Sequence, residues 1–160
     1  MATNRTLVLL RHAKSDWSRD LPDERRPLAG RGRREAPLAG RWLREHQPGI
    51  DLVLCSTAVR ARQTWRLAGA ELDPVPEARY DERLYGAAAG ELLAVVRALP
   101  AEVGTALLVG HNPGISDLVG LLTGEPTELK TSSIAVLGWT GEWGNAAPGH
   151  VTGAAFASPR

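Results

Sequence analysis

The stretch LVLLRHAKSDW, Leu7 to Trp17, runs four apolar residues straight into an arginine and a histidine. Leu7 to Leu10 are apolar on both parities, so with Thr6 they read as a strand covered on both faces, as in a parallel sheet flanked by helices. Arg11 and His12 then fall at the carboxyl end of that strand, which is where ligands bind in open α/β sheets. Two side chains that want water or an anion belong there on a pocket rim and not in the core.

The same grammar recurs downstream. Asp51 to Cys55 and Thr105 to Val109 are further short apolar strands. Ser56 and Thr57 offer an N-cap for a helix over Ala58 to Ala70, and GHNPG breaks the later strand before a helix over Ile115 to Leu122. Apolar residues at helical spacing predict a helix over Arg33 to His46, with Pro37 near enough to its start to be tolerated, and another over Glu91 to Leu99. Between these, Ser15 to Gly32 is a long polar loop punctuated by Pro22, Pro27, Gly30 and Gly32. ARYDERLYG, from Ala78, reads as a short strand or turn region. Ser132 to Trp139 and His150 to Phe156 read as two closing strands, and the terminal ASPR as a frayed end. Alternating strands and helices predict a three-layer α/β sandwich with a mainly parallel central sheet, built as one domain over residues 1–160.

Lys and Arg number 19 against 18 Asp and Glu, a net charge of +1. That balance provides no field for gripping nucleic acid or an anionic membrane, so any anion site must be local. The N-terminal apolar run is too short for a signal segment, and no later run approaches a membrane span, so a cytoplasmic protein is expected. A single cysteine, Cys55, cannot form an internal disulfide, in keeping with a reducing compartment.

Three predicted strands end in polar signatures: Arg11-His12, Ser56 to Thr64 in STAVRARQT, and His111-Asn112 in VGHNPG. Carboxyl ends of parallel strands share one sheet edge, so these segments can meet. Arginines and histidines around one pocket suit a phosphoryl group, whose oxygens take bidentate guanidinium contacts. A neutral imidazole can also attack phosphorus, with no metal required.

RHAKSDW, STAVRARQT, DERLYG and VGHNPG, in that order, resemble the histidine phosphatase superfamily, whose fold is phosphoglycerate mutase-like. The RHA form, the following RPL with RGRREAP, and the short chain are most similar to its SixA-like phosphohistidine phosphatase branch. Ala13 stands where many relatives have glycine, a departure shared with that branch. The resemblance implies that His12 accepts the phosphoryl group, Arg11 and Arg60 bind its oxygens, and His111 stabilises its charge in flight. It matches Glu82 to a general acid and Ser15 to a small hydroxyl residue that assists the loop or the phosphate. It implies no cofactor, and a substrate that is either phosphohistidine in a partner protein or a small phosphomonoester. With only one helix and a short turn region between Arg60 and His111, no large covering insertion is expected. A non-catalytic phosphate-binding module is the reading from another class, and the intact nucleophile weighs against it.

Other residues are given plainer expectations. Cysteine-dependent phosphatases need five residues between thiol and arginine, whereas four separate Cys55 from Arg60, so Cys55 is expected to be a buried strand residue. His46 and His150 lie outside the motifs as surface or packing residues, and with His12 and His111 they show no metal-ligand spacing. Arg62 is expected in a structural ion pair, Trp42 and Trp65 in the core, and Trp17 at the mouth of the pocket. The run from Arg25 to Arg34, interleaved with Asp23 and Glu24 and followed by Glu35, reads as a solvated loop and helix start, or alternatively as a surface that steers an acidic partner.

Overall fold

A computed structural model describes residues 3–160. Its six strands are β1 (Asn4–Arg11), β2 (Leu52–Cys55), β3 (Ala78–Tyr80), β4 (Thr105–Gly110), β5 (Ile134–Thr140) and β6 (Gly153–Ala157). The helices are α1 (Gly30–His46), α2 (Val59–Gly69), α3 (Ala89–Arg97) and α4 (Gly114–Thr123). One sheet runs in the order β3-β2-β4-β1-β5-β6. The first four strands are parallel neighbours, and β5 pairs antiparallel with both β1 and β6.

The continuous apolar run of β1 is used on both faces. Val8 and Leu10 join Val53, Cys55, Val109, Ala39, Leu43 and Trp65 under α1 and α2. Leu7 and Leu9 join Leu54, Leu108, Val96, Leu118 and Leu122 under α3 and α4. Two helices on each side of the sheet make the expected three-layer sandwich. The α1 and α2 backbones approach so closely that a Cβ on Gly40 would overlap the Ala68 carbonyl, so glycine is required there.

The connection from β1 runs through α1 toward β2, whereas that from β4 runs through α4 to β5 on the opposite side. β1 and β4 are adjacent, so the crevice at their carboxyl ends is a topological switch point. The residues following Arg11 and Gly110 open into it.

Several local expectations change. α1 starts at Gly30 and not at Arg33, which leaves Pro37 inside the helix. Gly30 to Gly32 carries no apolar period, so sequence offers no mark of that first turn. The long loop contains a single 3-10 turn, Asp23–Arg25, and a bridge between Ser15 and Leu28. The C-terminus is not frayed: Ser158 Oγ lies 2.7 Å from Ser133 Oγ, and Arg160 reaches Thr131 O at 3.2 Å and buried Glu35 at 3.4 Å. Among the described residues Arg62 forms no ion pair; its exposed guanidinium instead donates to Thr57 O at 2.9 Å and stacks on Tyr80 at 4.5 Å. Among the described residues, no helix is long and apolar enough to cross a membrane.

Candidate active site

His12 leaves β1 as the chain turns under α2, and it is only 7% exposed. The Ala13 amide donates to Thr64 Oγ1 at 2.9 Å, and that hydroxyl donates to Arg60 O at 2.7 Å. Thr64 thereby ties the loop bearing His12 to the helical turn bearing Arg60. The ring of His12 is oriented by its Nδ1–H, which donates to Ala13 O at 2.8 Å. Nε2 is then the atom with a free lone pair, and Arg60 Nε–H donates to it at 3.4 Å.

His111 follows β4 across the crevice, with its ring centroid 5.0 Å from that of His12. Its Nε2 lies 2.7 Å from Ser56 Oγ, at the carboxyl end of β2. Arg11 donates through Nη1 to Leu129 O at 2.9 Å, leaving its buried Nε without a protein partner. The same carbonyl accepts from Asn112 Nδ2 at 2.8 Å, so Arg11 and the His111 loop share an anchor.

Burial moves both histidines strongly. Desolvation, with smaller effects from Arg60 and Arg11, lowers His12 to about 4 against the raising effects of Ala13 O and Asp23. Desolvation, then His12 and Arg60, lowers His111 to about 3. Both imidazoles are therefore neutral at neutral pH. Burial also lowers the Arg11 guanidinium, opposed by Glu128.

Two groups not singled out by the sequence reading complete the cluster. Asp23 accepts from Arg60 twice, at its carbonyl (2.7 Å) and at Oδ2 (2.9 Å), and Tyr85 OH donates to the same Oδ2 at 2.7 Å. Those donors hold the Asp23 carboxyl below its usual range, led by the Tyr85 hydroxyl. The Tyr85 ring meets His111 edge-on at 5.5 Å. Tyr85 lies within DERLYG, which was a signal; Asp23 is one acid among a mixed charge run and carries none.

Glu82 and Ser15 make none of the hydrogen bonds that build this cluster. Glu82 is exposed in a 3-10 turn. Ser15 Oγ is engaged by Trp17 Nε1–H at 3.0 Å. Trp17 itself is 63% exposed, with the Arg26 guanidinium 3.9 Å over its ring. Cys55 is fully buried and its thiol is pushed up to about 12 by desolvation, so it cannot supply a thiolate. Among the described residues, no group of three or more His, Cys, Asp or Glu side chains is placed to hold a metal ion.

The histidine phosphatase superfamily (branch 1) model matches residues 7–129, the span that contributes every residue of this cluster. The chain belongs to that superfamily. An uncharacterised protein of Mycobacterium tuberculosis is 43% identical over 162 residues, covering 94% of this chain and all of that one. A Nakamurella protein provisionally described as the phosphohistidine phosphatase SixA is 36% identical, with a TM-score of 0.83 over 96% of each chain. The protein histidine phosphatase SixA solved with tungstate is 28% identical, with a TM-score of 0.82 over 96% of this chain and 97% of that one. Within the histidine phosphatase superfamily the chain therefore stands in the SixA-like branch, which supports phosphatase activity.

Proposed function

We propose that this chain is a metal-independent phosphohistidine phosphatase that passes the phosphoryl group through a covalent intermediate on His12. The observation that carries this reading is the Nδ1–H bond from His12 to Ala13 O at 2.8 Å, which leaves a neutral Nε2 as nucleophile between Arg60 and His111. Nε2 attacks phosphorus, and its new N–P bond forms as the N–P bond to the substrate imidazole breaks. The departing nitrogen takes a proton from water. In the second half, water attacks phosphorus, the His12 N–P bond breaks, inorganic phosphate leaves and Nε2 regains its lone pair.

Arg11 and Arg60 bind the phosphoryl oxygens, and His111 stabilises the charge that builds on them. The protein histidine phosphatase SixA is solved complexed with tungstate, a phosphate-like oxyanion, which supports an oxyanion-binding activity in this chain. An imidazole leaving group needs far less acid assistance than an alkoxide, so an exposed Glu82 is no obstacle on this substrate. Ser15 supports the loop through Trp17. One domain spanning residues 1–160 carries the whole activity, in a cytoplasmic setting.

The test is phosphate release from a phosphohistidine-bearing protein and from a generic phosphomonoester, side by side with chelator present, for the wild-type chain and His12→Ala. Faster turnover of the phosphohistidine protein, lost in the variant, is expected. Preference for the ester keeps the mechanism and overturns the substrate; loss of activity to chelation overturns metal independence. Absence of His12-dependent turnover of either substrate leaves a phosphate-binding module.

A further inference from the structure

Ser56 Oγ and His111 Nε2 share one proton across 2.7 Å. Ser56 is fully buried, and its Oγ already accepts from the Ala58 amide at 3.3 Å. If His111 Nε2 carried the proton, Oγ would receive two N–H groups, and its own O–H would be left in a dry site with no acceptor. If the hydroxyl instead donates to Nε2 at 2.7 Å, Oγ both donates and accepts, and its O–H is not left unpaired. A neutral imidazole that accepts at Nε2 carries its proton on Nδ1. Nδ1 of His111 is buried and has no protein partner. Tyr85, the aromatic neighbour on that ring, gives its hydroxyl proton to Asp23 and does not accept from Nδ1.

We infer that Ser56 is a positioning residue that fixes His111 as the Nδ1–H tautomer, so that Nδ1 is a ready hydrogen-bond donor to a phosphoryl oxygen. The inference rests on the phosphatase reading for the identity of the acceptor, but the tautomer itself does not. A lone pair at Nδ1 would repel the phosphoryl oxygens, whereas an N–H attracts them as their charge grows. Burial, which keeps the ring neutral, makes the placement of its one proton matter. Ser56 acts on the reaction through the proton it assigns and does not touch the phosphoryl group.

The experiment is a long-range proton–nitrogen imidazole spectrum of the 15N-labelled full chain at neutral pH, with and without inorganic phosphate, for wild type, Ser56→Ala and Ser56→Thr. Wild type is expected to show His111 as Nδ1–H, with that resonance shifting when phosphate is added. Ser56→Ala should move His111 toward Nε2–H or a mixture, and Ser56→Thr, which keeps the hydroxyl, should restore it. In parallel, Ser56→Ala should lose about 100-fold in kcat with little change in KM, the lower end of what loss of one transition-state donor costs. A wild-type Nε2–H tautomer overturns the inference, as does an unchanged tautomer in Ser56→Ala or an unchanged kcat despite a changed tautomer. A chain with the expected tautomers that turns over no phosphorylated substrate sinks the phosphatase reading and leaves the tautomer assignment supported.

Discussion

His12 and His111 lie 5.0 Å apart and are each kept neutral first by burial. Their folded-state values sit below the 6.5 of an exposed imidazole, so between those limits the unfolded chain binds protons that the folded chain refuses. The stability consequence has a definite sign: it is unaffected above pH 6.5 and falls as pH drops from 6.5 toward 4, where the folded state begins to protonate as well. From His12 alone the loss between pH 6.5 and pH 5 should be about 2 kcal/mol. Urea unfolding at pH 7 and pH 5 checks this, with His12→Gln expected to show a pH dependence smaller by that amount. The carboxylate of Asp23 contributes at lower pH: its depressed value means stability is lost as pH falls below the ordinary carboxylate range.

At the scale of elements, the site depends on how closely α4 approaches the loop after β3. Gly114 opens α4, and a Cβ there would overlap the Ala87 carbonyl oxygen and crowd Leu92 Cδ1 at 3.3 Å. That close approach sets the segment carrying Tyr85 against His111. Gly114→Ala must therefore push the two segments apart, with an expected loss of about 1–3 kcal/mol and a fall in activity larger than stability alone explains. Gly120→Ala is the control within the same helix. Its Cβ would meet its nearest neighbour, Glu125 O, at an ordinary 3.5 Å, so a neutral or slightly stabilising effect is expected. Denaturation midpoints and turnover of the two variants, measured together, separate these outcomes.

For the molecule as a whole, the far end of the sheet supplies stability without touching the chemistry. Arg5, 3% exposed in β1, donates to Ala101 O and Val103 O at 2.8 and 2.7 Å, to Gly141 O at 3.1 Å, and to Glu142 at 2.8 Å. It clips the loop before β4 to the turn after β5, some 20 Å along the strand from His12. Arg5→Leu takes the donor from the Ala101 and Gly141 carbonyls, while Val103 O keeps its bond from Trp143 Nε1 at 2.6 Å, and should cost about 2–4 kcal/mol by thermal or urea unfolding; His12-dependent turnover well below the melting temperature stays near wild type.

What the sequence determined by itself was the part written in local pattern. Apolar runs on both parities at Leu7, Leu52 and Ala106 marked buried strands, and each ran into polar residues at what became one sheet edge. That was enough to foresee the sandwich and to bring Arg11-His12, the segment Ser56 to Thr64 and His111-Asn112 to one edge; the family resemblance, and not the pattern, singled out Arg60 within its segment. The strand order was not written there, since hydrophobic pattern gives burial but not neighbours, and the antiparallel β5 beside β1 emerged only from pairing. Tertiary structure also decided which polar groups meet. Asp23, one acid in a mixed charge run, was drawn onto Arg60 because the loop folds back over α2. Glu82, matched by motif, stands in an exposed turn, and Tyr85 from the same motif meets the His111 ring. Local sequence sets which groups are present and which way each strand faces; only packing sets the ångström-scale distances on which hydrogen bonds, tautomers and pKa values depend.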